Sequence, residues 1–350
     1  FLYSVSKPFH LLSNSVRQAV VLPGGRRTLF NRTCPPNKFF GRRGLRGLTD
    51  RGLRRLIIFT FACASCLVPV SLSYAKYSGG QPGMFLSWGA GARSLAMGKA
   101  FTAVSDEATA TYWNPAAMTQ LERKEITGLH AMLWEDTNYD FLSYLHPTAR
   151  FGVFGLNYVG LVSKHFKKYV VKEWAADGWV KQPGIWGTEE FKDVQQAFTL
   201  AYGRKFFENM SLGFAGKYIN RALDYSEDQH FSFDSSLFID RLNSFPLRIG
   251  FKIQNLLTTK SGDTDDRMPM TFRFGTAYKT LKDRLTLALD FDKIIRANLG
   301  WHVGAEFWVL NFAALRIGLE GCPQLHESTL GFGLKYKNYG LDYAYAFHDL

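Results

Sequence analysis

The sequence has few cysteines, and beyond residue 75 it has no apolar run long enough for a spanning helix. Four Cys occur among 350 residues, and three of them, Cys34, Cys63 and Cys66, precede residue 75. A chain cut at that point would keep Cys322 alone, so neither an intrachain disulfide nor a thiolate metal cluster is expected. Without an apolar run of about 20 residues, this part of the chain cannot cross a bilayer as helices.

An excess of positive charge is also missing from most of the chain, although the formal net charge is +12. Residues 1–55 contain 12 Lys and Arg and one acid, Asp50, whereas residues 76–350 contain 30 Lys and Arg and 29 acids. Nucleic-acid binding requires a basic excess on the folded domain. We therefore expect no nucleic-acid partner.

Recognisable catalytic and metal-binding motifs are absent too. No Ser/His/Asp or paired-carboxylate arrangement stands out, and the histidines lack metal-ligand spacing. We expect a noncatalytic protein without a metal or cofactor. Catalytic sites assemble in space from distant residues, so an outer-membrane enzyme stays open as an alternative.

Residues 51–75 have the pattern of a signal peptide. Arg51, Arg54 and Arg55 precede an apolar run over residues 56–70, and Ser73 and Ala75 supply small residues before a cut after Ala75. An uncut signal anchor and a lipoprotein cut before Cys66 are the alternatives. Residues 1–50 contain no Met, and we interpret them as an over-extended or non-native leader outside the fold.

Beyond residue 124 the sequence alternates with a period of two, which is typical of β-strands. Leu285, Leu287 and Leu289, for example, alternate with Thr286 and Asp290. One face is large and apolar, and the other combines small residues with charges. A transmembrane barrel divides its lipid and lumen faces in this way. We interpret the inner-face glycines as easing strand curvature.

Thirteen such segments predict an all-β transmembrane antiparallel β-barrel over residues 125–350. Short and long connections alternate, and bacterial single-chain barrels have even strand numbers. We therefore expect about fourteen strands, the last one missing after residue 350. The predicted strands are 125–133, 138–147, 150–160, 195–206, 210–222, 231–239, 245–255, 270–279, 284–292, 300–308, 313–319, 328–337 and 339–348.

Residues 76–124 differ from the strands, being rich in small residues with short helical stretches. Residues 91–98 (Gly-Ala-Arg-Ser-Leu-Ala-Met-Gly), 103–106 (Ala-Val-Ser-Asp) and 113–116 (Trp-Asn-Pro-Ala) resemble the opening of the PorV/PorQ family, a branch of the FadL-like outer-membrane transport superfamily. The resemblance extends over about residues 80–350. Weaker matches are residues 136–140, 246–250, 254–256, 268–269 and 340–344.

The resemblance implies a short helical N-terminal hatch inside the barrel lumen, formed here by residues 76–124. It also implies that Asn114, Pro115 and Ala116 lie in the hatch, beside a route for hydrophobic ligands. The implied location is the bacterial outer membrane, among its lipids. The leading function is the handling of a hydrophobic small molecule or exported protein. The alternative is a plugged scaffold that serves as a type IX secretion shuttle and binds secreted cargo.

The candidate site residues fall into three groups. Arg93, Asp106 and Trp113 join residues 114–116 as hatch residues, either as anchors or as binding groups. The lumen charges form a polar path, anchor the hatch, or belong to a packed ion-pair network that fills the lumen; they are Arg273, Asp290, Glu306 and Arg316. The long loop over residues 162–194 is a partner surface, an aromatic anchor at the membrane interface, or a lid folded over the barrel, and it carries Trp174, Trp179 and Trp186.

Overall fold

The computed structural model describes most of the predicted barrel, the segment before it and one short N-terminal strand. The described residues are 2–8, 82–133, 136–167, 190–224, 226–241, 245–259, 267–295, 297, 299–322 and 325–347. The predicted signal peptide lies outside them.

Thirteen consecutive antiparallel strands confirm the predicted all-β fold, each overlapping a predicted segment. Every strand pairs with its sequence neighbours. The strands are β2 (Glu125–Met132), β3 (Thr137–Thr148), β4 (Gly152–Lys167), β5 (Glu190–Phe207), β6 (Met210–Leu223), β7 (Ser226–Ile239), β8 (Leu247–Thr258), β9 (Thr271–Thr280), β10 (Leu285–Ile294), β11 (Leu299–Leu310), β12 (Ala313–Cys322), β13 (Leu325–Tyr336) and β14 (Tyr339–Phe347).

A fourteenth strand, β1 (Leu2–Pro8), lies between β14 and β2 and closes the sheet into a barrel. Its Leu2 stands opposite both Ala344 and Ala131, and both pairings are antiparallel. This corrects the exclusion of all of residues 1–50 from the fold. The physical reason is closure, because hydrocarbon leaves no partner for the backbone groups of an open sheet edge.

The predicted division between the two faces of the wall is also confirmed. On β12, Leu315 and Ile317 are 58% and 52% exposed, whereas Arg316 between them is 4% exposed. The same alternation of large exposed and buried small or charged residues occurs on β9 and β10. A closed barrel with a band of exposed apolar residues around its outside has the surface that lipid requires.

The hatch, which we define as residues 82–124, contains four short helical elements. They are a 3-10 helix over Met84–Trp88, α1 (Ala92–Ala96), α2 (Ala110–Trp113) and a 3-10 helix over Pro115–Gln120. The end of α2 at Asn114 follows from the restriction that Pro115 places on the residue before it. No side chain caps the start of α2. None of the helices among the described residues has the length and hydropathy needed to cross a membrane.

Candidate functional site

The hatch fills the barrel lumen. Most of its residues between Ala90 and Thr119 are buried, including Phe101 and Trp113 at 0% and 1% exposure. It separates two ends of the barrel. We call them the turn end, where short turns join the strands, and the loop end. The predicted N-terminal hatch inside the lumen is therefore confirmed as part of the fold.

One carboxylate, Glu306 on β11, joins the hatch to the barrel wall near the turn end. It accepts a two-pronged hydrogen bond from Arg93 on α1, from Nε at 2.7 Å and from Nη2 at 2.8 Å. Arg316 on β12 donates from Nε to the same carboxylate at 2.7 Å and from Nη1 to Asp342 on β14 at 2.7 Å. Paired charges of this geometry are the strong form of hydrogen bond.

Asp106 forms the second connection between hatch and wall. Its Oδ1 lies 2.6 Å from Nη1 of Arg93, and its Oδ2 lies 2.8 Å from Nζ of Lys279 on β9. Burial alone would raise the pKa of Asp106, but Arg93, Lys279 and Arg248 together hold it well below its usual value. The carboxylates around Arg93 likewise outweigh the effect of burial and raise the pKa of Arg93.

Glu107, the residue after Asp106, has a pKa that is shifted in the opposite direction. Burial, together with the nearby carboxylates of Asp342 and Glu125, raises the pKa of Glu107 to about 7 against the opposing effect of Arg93. Its Oε1 accepts a hydrogen bond from Thr109 at 2.8 Å, and its Oε2 lies 3.4 Å from Arg93. Glu107 is thus the hatch carboxyl whose charge changes near neutral pH.

The Asn-Pro-Ala element holds the hatch together and binds it to the wall. Oδ1 of Asn114 accepts from the backbone N–H of Ala116 at 3.1 Å and so caps the 3-10 helix that Pro115 begins. Nδ2 of Asn114 donates to the backbone carbonyl of Thr102 at 2.9 Å, and Ser236 on β7 accepts from Ala116 at 3.0 Å. These contacts give the element an anchoring geometry.

Trp113 and the remaining lumen charges lie deeper, against β9 and β10. The guanidinium of Arg273 stacks over the Trp113 ring at 5.0 Å, and Nε1 of Trp113 donates to the carbonyl of Ala90 at 2.7 Å. Asp290 accepts from the backbone N–H groups of Phe101 and Thr102 at 3.0 and 2.8 Å. Of the predicted lumen charges, Glu306 and Asp290 thus accept hydrogen bonds from the hatch, whereas Arg316 donates to the wall carboxylates of Glu306 and Asp342.

Two further polar clusters were missed by the sequence analysis. Asp234 on β7 pairs with Lys217 at 2.8 Å and with Lys252 at 3.2 Å. Near the loop end, His302 lies 2.6 Å from Asp292 and 3.2 Å from Glu320, and Lys99 of the hatch pairs with Glu320 at 2.7 Å. The period-two alternation places the strand residues of these clusters on the inner face, so their presence in the lumen could have been predicted. Which of them pair depends on the register between strands, which the alternation does not give.

Glycines on the inner face make room for the hatch, a role that differs from the predicted easing of curvature. A Cβ on Gly213 would collide with the backbone nitrogen of Ala116, and one on Gly318 would collide with the backbone nitrogen of Gly98. The other inner-face glycines in close contact with hatch atoms are Gly155, Gly203, Gly250, Gly275, Gly304 and Gly331. Gly216, on the outer face of β6, has nothing within 4 Å of the same position.

Three cavities surround the hatch. The first, at the loop end, has a volume of about 240 Å³ and a wall of mixed polar and apolar residues that includes Arg273, His302 and Gln254. The second, of about 80 Å³, is mainly apolar and lies between hatch and wall, lined by Trp88, Leu95, Leu133 and Tyr139, among others. The third, of about 470 Å³, is a charged mouth at the turn end that includes the Arg93 and Asp106 cluster.

The remaining predicted site residues, Trp174, Trp179 and Trp186, lie outside the described residues. Within the described part of the chain, no group of three or more His, Cys, Asp or Glu side chains is arranged to hold a metal ion.

Comparison with known proteins connects this geometry to a fold. Residues 61–222 match the model of an uncharacterised protein family, UPF0164. No curated protein matches the chain. The Pseudomonas putida toluene transporter TodX matches with a TM-score of 0.51 and 11% identity, over 74% of this chain and 96% of TodX.

Two more solved structures are similar. The deltaS2 mutant of TodX, described as a monoaromatic hydrocarbon channel, has a TM-score of 0.50 and 9% identity over 75% of this chain and 99% of that one. A Pseudomonas aeruginosa FadL homologue has a TM-score of 0.47 and 12% identity over 73% of this chain and 90% of its own. At these identities the TodX matches show the fold.

The chain thus has the barrel fold of TodX, while membership of the PorV/PorQ family and of the FadL-like superfamily stays a prediction. The outer-membrane location predicted from the sequence agrees with this fold and with the apolar outer face of the wall.

Proposed function

We propose that the chain is a noncatalytic outer-membrane barrel that takes up a small hydrophobic molecule, with the hatch as its gate. The observation that carries the proposal is the apolar cavity of about 80 Å³ between hatch and wall, lined by Trp88, Leu95, Leu133 and Tyr139. Small-molecule sites are concave and mostly apolar, with a few polar groups at their edge. Lys99 and Glu320 supply such groups.

The TodX fold supports the same proposal. TodX is a toluene transporter and a monoaromatic hydrocarbon channel. The cavity of about 80 Å³ is smaller than the roughly 150 Å³ that holds a benzene ring, so the gate has to open further to admit one. We propose hydrocarbons with a single aromatic ring as the first ligands to test. The ion pairs of Arg93 and Asp106 with the wall keep the gate closed in this arrangement.

The test is to fill the cavity. Leu133→Trp places a large ring into the apolar space, whereas Met132→Trp changes the neighbouring residue, which is 53% exposed. We expect cells carrying the barrel to take up labelled toluene faster than cells without it. Leu133→Trp should remove most of that increase and Met132→Trp should keep it. Equal uptake by both variants, at equal amounts of folded barrel, would contradict the proposal.

A second candidate is the type IX secretion scaffold of the PorV/PorQ type. The density of hatch contacts favours it, because ion pairs and close glycine contacts hold the plug in place from several strands. In this role Trp174, Trp179 and Trp186 would present the partner surface.

Binding to purified secreted proteins that bear the type IX C-terminal signal tests the scaffold role. Wild-type barrel should retain such proteins, and a variant with all three tryptophans changed to Ser should not. Retention of the same proteins after removal of their C-terminal signal would refute it.

A further inference from the structure

Arg273 on β9 is a buried cation without a bonded partner. It is 9% exposed, its Nε has no hydrogen-bond partner, and within the described part of the chain it forms no ion pair. Its guanidinium is stacked on Trp113 at 5.0 Å. An arginine stays charged at every relevant pH, and a buried charge is costly unless it is paired.

The carboxylates nearest along the sheet, Asp290 and Asp292, form no ion pair with Arg273 among the described residues. Asp292 stands directly opposite Arg273 in the β9–β10 pairing, but its Oδ1 lies 2.6 Å from Nε2 of His302. Asp290 accepts from the backbone N–H groups of Phe101 and Thr102 through Oδ2, while its Oδ1 has no hydrogen-bond partner and does not reach the guanidinium. The guanidinium is therefore left without the two-pronged partner that its geometry favours.

Arg273 also lines the cavity of about 240 Å³ at the loop end, whose wall is part polar and part apolar. The other cations of this cavity are paired, because Lys99 pairs with Glu320 and Lys217 pairs with Asp234. Gln254, Asn255 and Ser87 add neutral polar groups to the wall. The cavity thus combines space for one small molecule with a single unpaired, pre-oriented cation.

We propose that this cavity binds a small monocarboxylate, whose carboxylate group pairs with Arg273 while its remainder occupies the space toward Met84 and Leu86. The planar carboxylate matches the fork of a guanidinium. A single negative charge fits better than a phosphate dianion, because Asp292 on the neighbouring strand repels additional negative charge. This subsite adjoins the apolar cavity of the proposed function, with which it shares Lys99 and Glu320 in its wall.

Calorimetry on the purified barrel in nonionic detergent tests the site with three probes of similar shape. Benzoate carries one charge, benzamide carries none, and phenyl phosphate carries up to two. We expect benzoate to bind roughly tenfold or more tighter than benzamide, as for a charge-assisted hydrogen-bonded pair, and tighter than phenyl phosphate. Equal binding of benzoate and benzamide to the wild-type barrel, or no binding of benzoate, would overturn the proposal.

Arg273→Gln then assigns the effect to this residue. It should abolish the preference for benzoate over benzamide, whereas Arg221→Gln, which removes an arginine paired with Asp193 away from the cavity, should retain it. A retained preference in Arg273→Gln would overturn the assignment. Toluene uptake is a separate measurement, so its failure and the failure of benzoate binding are distinguishable.

Discussion

Glu306 is the residue on which the attachment of the hatch depends most. It is 1% exposed and receives hydrogen bonds from two arginines, one on the hatch and one on the wall. Removing one member of such a buried network leaves the other charges uncompensated, which costs far more than the net value of the intact pair.

Glu306→Gln should therefore loosen the hatch and destabilise the protein. We expect a loss of about 3–5 kcal/mol in the free energy of unfolding, measured as a lower urea midpoint of the barrel in detergent. Asp283→Asn is the matched control, because Asp283 is exposed in the turn before β10 and has no ion pair among the described residues. Equal midpoints for the two variants would show that the network does not hold the hatch.

The raised pKa of Glu107 predicts that the stability of the fold depends on pH near neutrality. Its pKa is raised to about 7 in the fold, against an ordinary value of 4.5, so the folded state binds the proton more tightly. Its favourable contribution is complete below about pH 4.5 and is lost as the pH rises through 7, by roughly 3 kcal/mol at most. Asp106, whose pKa is lowered, acts in the opposite sense and loses its contribution in acid below its ordinary value of 3.8.

Unfolding of wild type and Glu107→Gln between pH 5 and 8 separates the two effects. The wild type should lose more stability than the variant as the pH rises, because the neutral amide cannot ionise. A difference between the two proteins that stays constant over this range would contradict the raised pKa.

At the residue level, the sequence predicts which side chains face the lumen but not which ones meet. Arg93, Glu306 and Arg316 were candidates from the sequence, and they form one network. Lys279 and Glu107 belong to the same cluster and were missed. Their contacts depend on where the hatch lies against β9 and β11, which no local pattern encodes.

At the level of elements, the strands could be predicted because residues that face lipid and residues that face the lumen alternate strictly along each strand. Strand ends were less predictable. β4 continues to Lys167, beyond its predicted end at residue 160. β5 begins at Glu190, before its predicted start at residue 195. Their outer ends carry polar and charged residues where the alternation no longer holds, so backbone pairing continues after the pattern stops.

The hatch and the wall fit together through the inner-face glycines, and β6 offers a controlled test. Gly213→Ala should displace the backbone at Pro115 and Ala116, because the added methyl has no space, at a cost of about 1–3 kcal/mol. Gly216→Ala on the same strand faces open space and should be close to neutral. Protease cleavage of the hatch reports the displacement, and equal cleavage rates in the two variants would contradict the fit.

At the scale of the whole molecule, closure of the barrel is the dominant constraint. β1 closes the sheet, yet it lies before the predicted signal peptide, so a cut after Ala75 would separate it from the barrel. A mature chain that begins at Lys76 would require another segment between β14 and β2, because open edges are not tolerated in lipid. The sequence pattern indicated the need for a fourteenth strand, but not which segment pairs there.

The central claim is a closed transmembrane barrel, and the mobility of the outer-membrane fraction on a gel tests it most directly. A closed barrel resists detergent until it is boiled, so unboiled protein should migrate faster than boiled protein and should be found with the outer membrane. Equal mobility of the two samples, with the protein recovered from the soluble periplasm, would contradict the account and assign the same strands to a secreted β-sandwich.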